Sequence, residues 1–130
     1  MQSKIYNSGE KIITENSPAS TMCMLQEGKV RVYKTVYEQQ VELATMGRHD
    51  FFGEISMLLG RPHSATVDAA EEGTEILSFS KETLVKKLAT DPEMGLRMIT
   101  IMAQRIAEAH KVITKLEGEK SSLEIMYKDK

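Results

Sequence analysis

The chain has 130 residues, the size of one domain and enough to bury a single hydrophobic core. Hydrophobic residues make up 41% of the sequence and charged residues 28%, a balance that is typical of a folded globular protein and argues against disorder. The net charge of −2 provides no general attraction to nucleic acid, so we expect no direct nucleic-acid contact from this segment.

Cysteine content and hydropathy indicate where in the cell the protein is expected to be. Cys23 has no second cysteine with which to form an internal disulfide, and we interpret it as a small apolar residue in a strand. No apolar run approaches the roughly 20 residues that a membrane-spanning helix needs. Residues 1–4 lack the apolar segment of a signal peptide. We therefore expect a cytoplasmic location and no membrane segment.

Up to about residue 80, short apolar-rich runs alternate with Gly, Pro, Asn and Asp, which is the pattern of strands and turns. Glu27-Gly28 precedes the alternating run 29–34 and predicts a tight hairpin at that point. A series of short strands with closely spaced turns predicts a sandwich or a closed roll. The strand candidates are residues 11–14, 22–25, 29–34, 41–46, 65–69 and 75–79.

The periodicity changes to that of helices after Ser80. Ser80 is a suitable N-cap for a helix over residues 81–89, and Glu82 in its first turn complements the helix dipole. Thr90-Asp91-Pro92 ends this helix and begins another, with the proline in the first turn. The sequence therefore predicts two domains, a β-rich one over residues 1–90 and a helical one over residues 91–130.

The second helix carries an apolar stripe with alternating spacings of three and four residues. A helix that only covered its own β-domain would not need this stripe beyond residue 113, because a small roll cannot cover roughly 45 Å of helix. We therefore predict a parallel homodimer through residues 94–127, weakened at its far end by Gly118 and by Lys120, the one stripe position that is not apolar. The stripe positions are Ile99, Met102, Ile106, Ala109, Ile113, Leu116, Lys120 and Leu123.

Residues 51–67 read FFGEISMLLGRPHSATV and are the segment of the chain that is best suited to bind a ligand. A glycine and a glutamate precede a short apolar helix, whose first backbone N–H groups suit an anionic oxygen. Gly53 allows close backbone approach, and the Glu54 carboxylate can accept a hydrogen bond from a sugar hydroxyl. Ser64 and Thr66 add hydroxyl groups at the start of the returning strand.

The run FGEISMLLGRPHSATV at residues 52–67 resembles the phosphate-binding cassette of cyclic-nucleotide-binding domains, which reads roughly F-G-E-[LI]-[AS]-L-L-x-x-x-P-R-[AS]-A-T-V. Gly9, Gly28 and Gly47 also match the family's turn positions. Resemblance to this family, which includes catabolite activators and regulatory subunits of protein kinase A, implies a mainly β fold with C-terminal helices. The implied architecture is an eight-stranded β-roll of jelly-roll-like barrel form, a short helix and a long dimerisation helix.

The resemblance also implies a cyclic nucleotide ligand, cAMP or cGMP, and a role for each cassette residue. Gly53 and Glu54 would hold the ribose 2′-hydroxyl. The cyclic phosphate would lie between the start of the short helix and the returning strand, and the base would pack near the fourth strand candidate. The implied ligand-binding residues are Gly53, Glu54, Ile55, Ser56, Ser64, Ala65 and Thr66 in the cassette, with Leu43 and Ala44 beside the base.

Two positions depart from the family pattern. His63 stands where the family has arginine, and a neutral imidazole offers one donor in place of a charged fork. Arg61 lies two residues upstream, where it is a candidate for the same anion. His110, after Ala109, stands where the catabolite-activator branch has hydroxyl residues that read adenine, so base preference does not carry over.

Three functional hypotheses follow. In the first, the chain is a sensor that binds a cyclic nucleotide or a related anionic ligand, and binding shifts the helix 54–59, the hinge at residues 89–91 and then the dimer helix. In the second, the same fold is a ligand-free dimerisation or interaction module of a transcription regulator, with a degenerate pocket at His63. In the third, it is a metal-dependent enzyme of the cupin type, but the sequence lacks the His-x-His pair that such a site needs. We therefore expect a non-enzymatic domain without a metal, excised from a larger regulator.

Overall fold

The computed structural model of the chain describes residues 1–128. Within them, eight strands and a short helix precede two C-terminal helices. The strands are β1 (Gln2–Tyr6), β2 (Lys11–Ile13), β3 (Thr21–Glu27), β4 (Val30–Val36), β5 (Gln39–Met46), β6 (Phe51–Phe52), β7 (Thr66–Ala69) and β8 (Thr74–Ser80). The helices are α1 (Glu54–Leu59), α2 (Lys81–Thr90) and α3 (Pro92–Lys128).

The strands form two four-stranded antiparallel sheets, ordered β1-β8-β3-β6 and β2-β7-β4-β5. One core cluster joins them, with Leu25 and Ile76 from the first sheet and Val30 and Val67 from the second. The sheets therefore pack face to face, which buries one side of each. The predicted β-roll with a short helix and a long C-terminal helix is confirmed, except that the sheets do not close into a barrel.

The predicted hairpin at Glu27-Gly28 is wrong. β3 pairs with β6 and β8, whereas β4 pairs with β5 and β7, so Gly28 is the point where the chain crosses from one sheet to the other. Gly28 has a φ of +92°, and a Cβ on it would lie 2.5 Å from Thr74 Oγ1. A tight turn and an alternating strand are common to hairpins and sheet crossings, which is why the local pattern did not distinguish them.

The strand candidates did not include β1 and β6. β1 is an edge strand that pairs only with β8, and four of its five residues are exposed, so it carries little apolar periodicity. β6 has two residues, too few for any period, and is recognised only by its pairing with Cys23 and Met24 of β3.

The connection between β4 and β5 is a two-residue turn, in which Val36 pairs with Gln39. Tyr37 and Glu38 have φ values of +50° and +65°, the combination of a type I′ turn. Left-handed backbone costs an ordinary residue about 1–2 kcal/mol. We expect the double substitution Tyr37→Asn/Glu38→Gly to raise the free energy of unfolding by about 1–2 kcal/mol in urea titrations. The pair Tyr37→Ala/Glu38→Ala keeps the strain, and an equal gain from it would contradict the explanation.

The N-cap predicted at Ser80 is present, and Asp91 forms a second cap that the sequence analysis did not name. The Ser80 hydroxyl accepts a hydrogen bond from the Thr83 N–H at 3.3 Å, and the Asp91 carboxylate accepts one from the Met94 N–H at 3.1 Å. The chain divides into two compact units, Met1–Lys86 and a second that begins at Lys87. The domain boundary after residue 90 stays a prediction. No helix within residues 1–128 has the length and apolar character needed to cross a membrane.

Candidate functional site

Within the first unit, the residue that precedes α1 lies close to the segment that leads into β7. Gly53 precedes α1 with a φ of +78°, a conformation that favours glycine. A Cβ added to Gly53 would lie 3.2 Å from His63 Cε1 and 3.3 Å from Ile13 Cδ1. The His63 ring therefore lies close beside the Gly53 backbone, although the two are ten positions apart in the chain.

The buried face of α1 carries both of its polar residues, Glu54 and Ser56, together with Met57. Glu54 is 3% exposed and Ser56 is 7% exposed, whereas Ile55, Leu58 and Leu59 lie on the exposed face. Two polar residues thus share the buried face with one apolar residue, whereas the buried face of a surface helix is ordinarily apolar. A buried carboxylate is costly unless it has polar partners, which makes the burial of Glu54 unusual for a residue of a short surface helix.

The first hydrogen bond of α1 runs from the Met57 N–H to the Gly53 carbonyl at 3.2 Å. The N–H groups of Ile55 and Ser56 precede this bond and have no acceptor within the helix. At the other end, Gly60 adopts a φ of +66°, and the N–H groups of Gly60 and Arg61 bond to the Ser56 carbonyl. The helix is therefore held at both ends by glycines in the left-handed region.

His63 is 8% exposed, and its main chain is held on both sides. Its N–H donates to the Ser17 carbonyl at 2.9 Å, and its carbonyl accepts from the Asn16 N–H at 2.8 Å. Burial lowers the pKa of the His63 imidazole from its ordinary value, because desolvation disfavours the charged form. The position that carries arginine in the family pattern is thus occupied by a neutral ring at neutral pH.

Lowering the pH is expected to destabilise the fold through His63. Its folded pKa lies below the unfolded value of about 6.5, so below that pH the unfolded chain binds the extra proton. The His63 contribution to stability is therefore complete above about pH 6.5 and is lost as the pH falls through the folded pKa. Urea titrations across this range should show a slope of up to about 1.4 kcal/mol per pH unit from this residue.

The variant His63→Gln should lose that part of the pH dependence, whereas His110→Gln, which changes an exposed histidine on α3, should keep it. Equal pH dependence in the wild type and in His63→Gln would contradict the assignment.

The other residues of the returning segment differ in exposure. Ser64 is exposed, Ala65 is half-buried and Thr66 is buried at the start of β7. The Thr66 hydroxyl accepts a hydrogen bond from the Glu15 N–H at 3.0 Å, so its acceptor is already engaged by the protein. Of the two predicted hydroxyl groups, that of Ser64 is the one presented to solvent.

Leu43 and Ala44 lie on β5, in the same sheet as β7. Ala44 pairs with Val32 of β4, and Val32 pairs with Val67 of β7, so two strand spacings of about 4.8 Å separate Ala44 from Val67. Val67 is in the core cluster and Val32 packs against it, so Ala44 follows them on the core-facing side of the sheet. Leu43 is the extra residue of a β-bulge opposite Val32 and Tyr33, and it is more than half exposed.

The structure thus brings Gly53 and His63 into contact and places Ala44 on the same sheet as Thr66. Arg61 is exposed in the loop after α1. His110 is an exposed residue of α3, in the second unit. Within residues 1–128, no group of three or more His, Cys, Asp or Glu side chains is arranged to hold a metal ion.

Sequence reasoning missed the residues that hold the cassette from outside. Ile13 faces Gly53, and the loop after β2 bonds to His63 and Thr66. Asn16-Ser17-Pro18 is recognisable as a turn, but nothing local to it indicates a partner more than 40 residues away. These contacts depend on strand pairing across the roll.

The family model described as the cyclic nucleotide-binding domain matches residues 3–91. This match covers more than half of the chain, and the chain belongs to the cyclic nucleotide-binding domain family. The resemblance carried by residues 52–67 is therefore confirmed at the level of the family.

The chain is 30% identical over 121 residues to the cAMP-dependent protein kinase type II regulatory subunit of Drosophila melanogaster, covering 93% of this chain and 30% of that protein. It is 27% identical over 127 residues to the cyclic AMP receptor protein of Thermus thermophilus, covering 97% of this chain and 58% of that protein. The crystal structure of the Thermus thermophilus catabolite activator protein matches with a TM-score of 0.79 and 27% identity, over 89% of this chain and 55% of that one.

The chain thus spans less than two thirds of the length of these relatives. Family membership and these similarities support a ligand-sensing regulatory domain.

Proposed function

We propose that the chain is a sensor domain that binds a cyclic nucleotide, cAMP or cGMP, and transmits binding to its C-terminal helices. The observation that carries the proposal is the contact between Gly53 and His63, with Glu54 and Ser56 buried beside it. Three polar side chains of one short motif, those of Glu54, Ser56 and His63, are thus buried, in a family named for this ligand. The names of two relatives refer to cAMP, which supports a cyclic nucleotide.

In this proposal the ligand lies between α1 and the start of β7. The carboxylate of Glu54 accepts a hydrogen bond from the ribose 2′-hydroxyl, beside the Gly53 backbone. The N–H groups of Ile55 and Ser56 and the hydroxyl of Ser64 donate to the cyclic phosphate. Ala65 and Thr66 contribute backbone groups, and Leu43 and Ala44 supply apolar contact for the base.

His63 gives the proposed site a particular character. A neutral imidazole donates one hydrogen bond, so the phosphate is held less strongly than by a charged guanidinium. An anion beside the ring favours the protonated form, because opposite charges stabilise each other. Binding is therefore accompanied by proton uptake at His63, and affinity increases as the pH falls.

Transmission runs through α1 and the break between the C-terminal helices. α2 ends at Thr90 and α3 begins at Pro92, so only Asp91 separates them. A ligand that binds one arrangement of this hinge more tightly shifts the population toward it, by no more than the difference in affinity.

The proposal includes a homodimer through α3. Ile99, Ile106 and Ile113 fall on one stripe and are 66%, 57% and 56% exposed in the single chain. A sustained row of exposed isoleucines at heptad spacing is typical of a helix that pairs with another copy. The proposed regulator is cytoplasmic.

The substitution Ile113→Lys is expected to separate the proposed dimer, because it places a charge within the apolar seam of each copy. Sedimentation should give about twice the chain mass of 14.6 kDa for the wild type, and the chain mass for the variant. Thr114→Lys makes a similar change on the neighbouring position, outside the stripe, and should remain dimeric. A monomeric wild type at high micromolar concentration would contradict the dimer.

A second candidate function is favoured by the burial of His63. A domain without the arginine that binds the phosphate in the family pattern would serve as a ligand-free dimerisation or interaction module. The depressed pKa of His63 supports this reading as well, since it keeps the ring neutral in the unliganded protein.

Calorimetric titration with cAMP, cGMP and a cyclic dinucleotide distinguishes the two functions. The sensor requires saturable binding of a cyclic nucleotide that weakens at least tenfold in Glu54→Gln and is unchanged in Glu82→Gln, which alters an exposed glutamate of α2. No binding of any of them at millimolar ligand would reject the sensor and favour the interaction module.

A further inference from the structure

The loop after β2 forms hydrogen bonds to both ends of residues 63–66, the segment of the cassette that leads into β7. The Asn16 N–H and Ser17 carbonyl bond to the main chain of His63, at 2.8 and 2.9 Å. The Glu15 N–H donates to the Thr66 hydroxyl at 3.0 Å. Three consecutive loop residues thus hold His63 and Thr66, with Ser64 and Ala65 between them.

The loop itself is held in one conformation. Asn16 has a φ of +70°, which costs less for asparagine than for most other residues but still needs support from its surroundings. The Ser17 N–H donates to the Thr14 carbonyl at 3.1 Å and closes a turn around it. The loop is therefore a structured support rather than a loose connection.

The Glu15 side chain extends this support to the β4–β5 hairpin. Its carboxylate oxygen Oε1 accepts a hydrogen bond from the Thr35 N–H of β4 at 3.2 Å. The pairing of β4 with β7 ends at Tyr33 and Thr66, two residues before Thr35. Glu15 thus provides an acceptor to β4 beyond the point where β7 does so.

Glu15 consequently joins the two sides of the proposed ligand site. Through its own N–H it bonds to Thr66 in the phosphate segment, and through its carboxylate to the hairpin that carries Leu43 and Ala44. The first side would hold the phosphate and the second the base, so their separation must match the ligand. A site that is held at this separation before binding loses less conformational entropy on binding.

We propose that Glu15 is a positioning residue for the cyclic-nucleotide site: it fixes the His63–Thr66 segment relative to the β4–β5 hairpin and so sets the affinity. This inference rests on the proposed function for its effect on affinity. Its structural part, the coupling between Glu15, Thr35 and the cassette, exists with or without a ligand.

The test compares Glu15→Met with Glu15→Gln in the full chain. Methionine keeps the length of the side chain but loses the acceptor, whereas glutamine keeps an acceptor oxygen. We expect Glu15→Met to weaken the binding of cyclic AMP or cyclic GMP about tenfold in calorimetry. The affinity of Glu15→Gln should lie within about twofold of the wild-type affinity. Urea titration of both variants identifies any general loss of folding.

Amide hydrogen exchange of the unliganded variants provides a readout that needs no nucleotide. The N–H groups of Thr35 and His63 should exchange about tenfold faster in Glu15→Met than in the wild type, and at the wild-type rate in Glu15→Gln. Unchanged exchange in Glu15→Met, or undiminished affinity despite faster exchange, would overturn the positioning role.

The Thr66 hydroxyl provides a second pair of variants. Thr66→Val removes the acceptor for the Glu15 N–H at nearly constant shape, and Thr66→Ser retains it. We expect the Glu15 N–H to exchange faster in Thr66→Val than in the wild type, and at the wild-type rate in Thr66→Ser. Equal exchange in the two variants would show that the Thr66 hydroxyl does not hold Glu15 in place. If the wild type binds no nucleotide, the proposed function fails, while the exchange measurements still decide whether Glu15 holds the segment.

Discussion

Replacing His63 with arginine is expected to raise the affinity of the protein for a cyclic nucleotide by about 10²-fold at neutral pH. The physical reason is a change from one neutral donor to a charged, two-pronged donor opposite the phosphate. Because the Gly53 backbone lies directly beside residue 63, the longer side chain starts from a position next to the proposed ligand. Calorimetric titration of the wild type and His63→Arg with cAMP and cGMP measures the difference.

The pH dependence distinguishes a gain of charge from a gain of contact. Arginine stays protonated, whereas His63 gains its charge only at lower pH, because burial depresses its pKa. The advantage of His63→Arg should therefore shrink as the pH is lowered, while the affinity of the wild type increases. His63→Gln, which carries no charge at any of these pH values, should show neither effect. An advantage that is independent of pH would mean that contact area, not charge, separates the two side chains.

Failure of His63→Arg to bind any cyclic nucleotide would have a different meaning. The family's arginine would then be insufficient to restore a site, and the interaction-module function would be favoured. Tight binding by the variant with no measurable binding by the wild type would identify His63 as the residue that separates a degenerate pocket from a functional one.

The substitution Gly28→Ala is expected to destabilise the fold by about 3–4 kcal/mol, a large part of the 5–15 kcal/mol that is typical of a domain. The φ of +92° contributes strain for any residue with a side chain. The added Cβ would also lie 2.5 Å from Thr74 Oγ1 and 2.9 Å from Thr74 Cα. Thr74 is fully buried and its hydroxyl donates to the Glu71 carbonyl at 2.7 Å, so it has little room to move.

Gly9→Ala is the matched control for this prediction. Gly9 has a similar φ of +87°, but a Cβ there would meet nothing within 4 Å. Its replacement should therefore cost only the backbone strain of about 1–2 kcal/mol. Urea titrations of both variants measure the difference, and equal losses would show that the contact with Thr74 does not contribute.

The features that the sequence determined by itself are those with a local chemical cause. Ser80 caps α2 because its side-chain oxygen reaches the N–H of the residue three positions later, which needs no knowledge of the rest of the chain. The stripe on α3 follows from helical periodicity in the same way. The cassette was recognised from residue order alone, and the family match over residues 3–91 confirms the family that it indicated.

The tertiary structure decided which strands pair and what surrounds the cassette. The chain crosses between sheets at Gly28, and β1 and β6 exist only through partners far away in sequence. The bulge that exposes Leu43 likewise depends on its register with β4. Strand pairing is a choice among distant partners with similar backbone groups, so no window of local sequence contains it.

His63 shows both sides of this division. The sequence identified it as the position where the chain departs from its family, and predicted a weaker grip on an anion. Only the tertiary structure buried the ring against Gly53, lowered its pKa and tied its main chain to the loop at Asn16 and Ser17. Desolvation is a property of everything packed around a group, which is why the identity of the residue followed from sequence and its protonation behaviour did not.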